Sequence, residues 1–242
     1  MGEVYSAQDP DGLIVALKRL NPEHRGKDEY DTLFAHEIEV ASLVKHERLL
    51  SALDSGSVDG WPFFTSTVAP AGSLRKRLRE EGVLSPTVLG KLALELGDGL
   101  SALHAHGYTH SDLSPGNALF IDDSAHLTDF GSATLLGTKQ PRPHGTYAYM
   151  SPEQVRGDAL DERSDVFSLA TLLWQCATGE RIFWRDAQHL TFMAVVNEQP
   201  PAITEQLQPV EAILLAALDK EQSKRPSDIQ DWCRQFAAAI AA

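Results

Sequence analysis

The stretch His110-Ser111-Asp112-Leu113-Ser114-Pro115-Gly116-Asn117 constrains this chain more than any other, because Asp129-Phe130-Gly131 begins twelve residues after Asn117. An aspartate, an asparagine five residues later and a second aspartate before Phe-Gly form one ordered set of oxygen-bearing side chains. A polar turn beside an unrelated Asp-Phe-Gly would need only the residue types. Order and spacing together favour a single chemical site.

The rest of the composition sets bounds. The 242 residues suffice for one large domain or two modest lobes, and a hydrophobic share of 43% is ordinary for a globular protein. Lys+Arg number 21 against Asp+Glu 34, a formal charge of -13. Nucleic acid and anionic membrane both select a basic surface, so neither is expected as a partner. The acidity mildly favours basic protein substrates, although its plainest use is solubility. Cys176 and Cys233 both sit in apolar helical patterns and read as buried free thiols. Residues 1–12 are polar and acidic, unlike a signal peptide, and the longest apolar run, Phe167 to Ala177, is too short to span a bilayer. A cytoplasmic protein is expected.

The motif set resembles the catalytic loop and metal-binding turn of the protein kinase family. That resemblance implies that Asp112 accepts or orients the acceptor hydroxyl proton, and that Asn117 and Asp129 ligate Mg²⁺ on the phosphates of ATP. It implies an α+β bilobal fold in a single domain, residues 1–242. The small antiparallel-sheet lobe would take residues 1–66, a hinge 67–72 and the mainly helical lobe 73–242.

Met1-Gly2-Glu3-Val4-Tyr5 resembles the end of the family's glycine-rich loop, starting at its third glycine. The preceding strand and two glycines do not appear, which predicts a weaker hold on ATP and a bare strand edge from Gly2 to Ala7. Such an edge invites a partner strand or self-association. Asp9-Pro10-Asp11-Gly12 reads as a hairpin turn. Val15-Ala16-Leu17-Lys18 matches the family's V-A-I-K, so Lys18 would contact the α/β-phosphates. A helix over residues 29–45 carries Glu37, the expected partner of Lys18. Four positions on, Ala41 replaces a larger residue, which predicts looser packing against Phe130 or compensation by a bigger neighbour. Leu49–Ser57 and Trp61–Val68 read as strands. The second leads to a gatekeeper at Ser66 and to adenine-contacting backbone at Thr67, Val68 and Ala69. Val4, Ala16 and Leu119 would sandwich the adenine, with Gly2 beside the phosphates.

In the second half, helices are predicted over Ser73–Glu81 and from Ser85-Pro86 to about His106, the latter with Leu89, Leu92, Leu96, Leu100 and Leu103 on one face. Gly145-Thr146-Tyr147-Ala148-Tyr149-Met150-Ser151-Pro152-Glu153 resembles the end of a short activation segment. Thr146 would shape the acceptor site, and Ser132, Thr134 and Thr138 are the candidate autophosphorylation sites. By resemblance Glu153 pairs with Arg225, and Asp165 holds the catalytic-loop backbone. The closing helices run through Leu190–Val196 and Pro209–Leu218, with Phe236–Ala242 a fraying end.

Two positions depart from the family pattern. Ser111 stands where an arginine grips an activation-loop phosphate, which predicts weak control by phosphorylation. Ser114 stands where a lysine neutralises the transferred group, a loss on the order of a hundredfold in rate by analogy with removing one preorganised donor. The run from Ser151 to Gly179 has the character of bacterial-type Ser/Thr kinases. An ATP- and Mg²⁺-dependent protein Ser/Thr kinase is therefore the expected function. The alternatives are a pseudokinase scaffold that binds nucleotide weakly and, last, a small-molecule kinase.

Overall fold

The computed structural model describes residues 2–9, 11–140, 145–203 and 205–241; Met1 of the opening motif, Pro10 of the first turn and Ala242 lie outside them. β1 (Gly2–Gln8) and β2 (Ile14–Leu20) form an antiparallel hairpin, in which Asp9 Oδ1 accepts the N–H groups of Asp11 and Leu13. α1 (Asp28–Leu43) crosses next, and β3 (Asp54–Val58) with β4 (Trp61–Thr67) completes a four-stranded sheet ordered β1-β2-β4-β3. Side chains directly opposite on paired strands share a face. The registers Val4↔Lys18, Ser6↔Ala16 and Ala16↔Ser66 therefore put Val4, Ala16, Lys18 and Ser66 on one face of the sheet.

The strand expected from Leu49 begins only at Asp54. Leu49, Leu50 and Ala52 are buried in the core instead, and their backbone is spent elsewhere. Leu50 N–H donates to Leu127 O, and Ala52 N–H donates to Ala41 O. Residues tied to the second lobe and to α1 cannot also pair with β4.

The helical half begins with β5 (Gly72–Ser73), then α2 (Leu74–Glu81), whose Ser73 serves as N-cap and is not part of the helix. α3 (Pro86–Ala105) opens on the expected Ser85 cap and buries all five leucines of its apolar face. β6 (Tyr108–Thr109), β7 (Ala118–Ile121), β8 (Ser124–Leu127) and β9 (Thr134–Leu135) are short ladders around the polar loops. α4 (Pro152–Arg156), α5 (Glu162–Thr178), α6 (Gln188–Asn197), α7 (Glu211–Ala217) and α8 (Ile229–Ile240) follow. α5 is buried on almost every side and forms the axis of this lobe; Cys176 within it and Cys233 in α8 are free and buried. α8 does not fray over its last turn: Phe236 and Ile240 are buried, and Ile240 packs within reach of Gly90 on α3. No helix among the described residues is long and apolar enough to cross a membrane.

Candidate active site

The site lies where the sheet meets the helical lobe. Lys18 on β2 and Glu37 on α1, nineteen residues apart, meet with Nζ 2.5 Å from Oε1, and the same Nζ lies 3.2 Å from Asp129 Oδ1. Glu37 is 1% exposed, and its Oε2 has no hydrogen-bond partner among the described residues. Burial pushes its pKa up to about 7 against the pull of the Lys18 charge. Lys18 shows the opposite balance: burial works against its charge, but the Glu37 and Asp129 carboxylates outweigh it and raise its pKa. Lys18 is therefore a held cation with one face toward Asp129. Gly2 lets β1 come close to it, since a Cβ there would stand 2.8 Å from Arg19 O and 3.1 Å from Lys18 Cε.

Asp129 adopts a left-handed backbone, φ 68°, which turns its side chain outward while Phe130 goes into the core. Of the two outcomes expected from Ala41, the structure shows compensation by a larger neighbour. Both residues are buried, and the larger neighbour is His110, whose ring meets Phe130 edge-on at 5.8 Å. The Asp129 side chain remains 40% exposed.

Asp112 is fixed by two neighbours. Asn117 Nδ2 donates to both its backbone oxygen (2.8 Å) and its Oδ2 (3.0 Å), and Thr146 N–H donates to Oδ1 (2.8 Å). Burial is the largest influence on the carboxyl and, aided by the Asp129 charge, pushes its pKa above the aspartate range. The Thr146 N–H and the Asn117 amide pull it part of the way back. A more basic carboxylate is better suited to receive a proton.

The loop bearing Asp112 is itself clamped. Asp165, fully buried in α5, accepts the N–H groups of His110 (2.8 Å) and Ser111 (3.1 Å) and lies 2.8 Å from His104 Nε2. Burial opposes its charge, yet these partners hold its pKa below the usual value. On the other side Gln154 Nε2 donates to Ser111 O (2.8 Å). Ser111 thereby sits at φ 63°, and its hydroxyl pairs with Thr109 Oγ1 at 2.7 Å. It is 3% exposed, and residues 132–140 are tied to one another by neutral bonds, with Gln140 Nε2 donating to Thr134 Oγ1 and to Ser132 O. Ser114 is also buried, its Oγ accepting Gly116 N–H. Glu153 and Arg225 form a two-pronged pair at 2.7 and 2.8 Å.

Lys18, Glu37 and Asp129 are thus joined by direct bonds, as are Asp112 and Asn117. Val4, Ala16 and Ser66 share the sheet face of Lys18. Leu119 lies on β7, paired with Ser73, while Thr67 ends β4 and is exposed. Among the described residues no group of three or more His, Cys, Asp or Glu side chains converges on a metal position. Sequence reasoning missed Gly145, Gln154, His104 and Arg75. Only Gly145 carried a local signal, a glycine before the acceptor-site threonine. The others act across 43 residues (Gln154 to Ser111), 61 residues (His104 to Asp165), or between an α2 side chain and the catalytic loop, and no spacing rule reports such contacts.

Comparison with known proteins gives a consistent result. Residues 1–241 match the protein kinase domain. A protein of Thermomonospora curvata described as probable serine/threonine-protein kinase PkwA is 35% identical over 231 residues, covering 94% of this chain and 31% of that protein. Serine/threonine-protein kinase PknD of Mycobacterium tuberculosis is 30% identical over 94% of this chain and 35% of its own length. Serine/threonine-protein kinase PknE of Mycobacterium bovis is 29% identical over 100% of this chain and 44% of its own length. The chain therefore spans less than half the length of these relatives.

Proposed function

Because this chain belongs to the protein kinase domain family, we propose that it transfers the γ-phosphate of ATP to serine and threonine hydroxyls of protein substrates. One observation carries the reading: the Lys18–Glu37 and Lys18–Asp129 bonds are made while Asp129 faces outward and Phe130 is buried. These are the positions that phosphoryl transfer needs filled.

ATP and Mg²⁺ are used by the family in general, and the donor set here suits them. Asn117 and Asp129 are hard oxygen donors, few in number, as befits a Mg²⁺ ion that also takes phosphate oxygens. When bound, the ion would neutralise charge on the phosphates. Lys18, kept in place by Glu37, would bind the α- and β-phosphates. Gly2 would approach the phosphates, while Val4, Ala16 and Leu119 would enclose the adenine and the backbone of Thr67, Val68 and Ala69 would meet its edge. The lobes would divide as residues 1–66 and 73–242 about a hinge at 67–72. Asp112 would orient the acceptor hydroxyl and take its proton as the new oxygen–phosphorus bond forms and the bond to the ADP oxygen breaks.

Ser111 is buried and bonded to Thr109, which supports weak control by activation-segment phosphorylation. The two buried free thiols suit a reducing, cytoplasmic compartment. β1 and β3 are the two outer strands of the four-stranded sheet among the described residues, and the β1 edge is the one at which a partner strand or a second copy would add. The test is phosphate transfer from ATP to a mixed protein substrate over a Mg²⁺ titration. Asp129→Asn is expected to lose at least about a hundredfold in kcat and to need more Mg²⁺. Full activity in that variant would refute the metal assignment.

A further inference from the structure

A cleft of about 660 Å³ opens beside Asp112, walled by Arg75 and Arg79 of α2, Pro115, Thr146, Tyr149 and Arg181. Among the described residues none that lines it is acidic, in a chain that carries 34 Asp+Glu against 21 Lys+Arg. All three arginines are exposed. Among the described residues none of them has a carboxylate partner.

Their placement is built rather than incidental. Arg75 N–H donates to Pro115 O at 2.7 Å, which pins the start of α2 to the catalytic loop. Its guanidinium then lies across Gly116, where a Cβ would stand 2.6 Å from Nη2. With no side chain at 116, the guanidinium rests against the backbone of the catalytic loop. Arg181 stacks over the Trp184 ring at 4.3 Å, an arrangement that positions the guanidinium without cancelling its charge. Both Arg75 and Arg181 act electrostatically on the Tyr149 hydroxyl, so their charges converge on the same part of the cleft. Thr146 joins cleft to chemistry: it lines the wall, and its N–H holds Asp112.

We infer that this cleft reads an anionic side chain, carboxylate or phosphate, in the substrate segment next to the acceptor residue. A segment whose hydroxyl sits at Asp112 advances about 3.3 Å per residue when extended, so the cleft serves a position within about four residues of the acceptor. The proposal rests on the protein kinase reading and deepens it. It also reverses the preference suggested by overall charge: the local field selects acidic segments although the whole chain is acidic. Guanidinium groups match both carboxylate and phosphate oxygens in two-pronged geometry.

The test separates the two claims. Fluorescence anisotropy on the full chain measures binding of peptides in which alanine replaces the acceptor, so that no transfer is required. Glutamate, phosphoserine, alanine or lysine is scanned over the four positions on either side. At one position glutamate or phosphoserine is expected to bind at least tenfold tighter than alanine, with lysine weaker still; comparison of the two anionic arms shows which source is preferred. Arg75→Glu is expected to invert the preference toward lysine, and Arg79→Glu with Arg181→Glu, at exposed sites, repeats the test if the first variant does not fold. Equal binding of all peptides, or binding of none, overturns the inference. Transfer to serine versions of the same peptides is followed in parallel. Anion preference without transfer would sink the kinase reading alone, and transfer without anion preference would sink this one alone.

Discussion

Gly145 leaves room for the carboxylate of Asp112 and for little else. It adopts φ 112°, and a Cβ there would lie 2.6 Å from Oδ1. Gly145→Ala therefore has to move either the Asp112 side chain or the segment that donates the Thr146 N–H. Displacement of about 1 Å at a reacting group can cost on the order of a hundredfold. The variant is expected to keep its KM for ATP, lose about that factor in kcat and melt a few degrees lower because alanine is strained at φ 112°; unchanged kcat would show that the Thr146–Asp112 contact is dispensable. At this scale the identities of Lys18, Glu37, Asp112, Asn117 and Asp129 were legible, because each sits in a motif whose spacing survives any folding. Of their bonds, the resemblance implied the Lys18–Glu37 pair and the hold of Asp165 on the loop backbone. It did not imply that Asn117 would turn its amide nitrogen onto Asp112, or that Gln154 would grip Ser111 O with Ser111 at φ 63°. Those depend on three-dimensional neighbours contributed by α5 and α4.

Elements are joined to the site by a few buried polar links. The Glu153–Arg225 pair ties the start of α4 to the segment before α8, with Ser164 Oγ donating to Glu153 Oε1 at 2.7 Å. Removing one partner leaves a buried charge unpaired, so Glu153→Gln is expected to cost about 3–5 kcal/mol in urea unfolding, with Arg225→Met as a second change returning part of it. Burial works against the Glu153 charge, but Arg225 and Ser164 outweigh it and hold its pKa below the glutamate range. A carboxylate depressed in the folded state stabilises the fold fully above its unfolded pKa, about 4.3, and that contribution fades as pH falls through the lower folded value. The wild type should lose the pair's contribution below about pH 4. Glu153→Gln has lost it already and should show a flatter acid limb; identical limbs would mean that the pair contributes nothing. Most helices were readable from apolar period and caps, as with Ser85-Pro86 and the leucine face of α3. The misplaced start of β3 has a different cause. Leu49–Leu53 has the composition of a strand, but Leu49, Leu50 and Ala52 are claimed by the core, and only Leu53 stays exposed.

Over the whole molecule, net charge and local charge diverge. The chain carries a formal charge of -13, while the cleft at Asp112 presents Arg75, Arg79 and Arg181 with no lining acid among the described residues. Composition averages over the surface, whereas a substrate meets one part of it. The bilobal architecture was legible through the resemblance to the protein kinase family that the ordered motifs carry. The geometry of the meeting line was not, since it depends on pairs such as Lys18–Asp129, 111 residues apart. The proposal that this line transfers phosphate is tested most directly by the intact mass of the chain and of added casein after incubation with Mg²⁺ and ATP, beside an Asp112→Asn variant of equal thermal stability. Whole phosphate additions, mapped to serine and threonine, are predicted with the wild type and at least about a hundredfold more slowly with the variant. No phosphate on either protein with the wild type, or equal labelling by the variant, would contradict it.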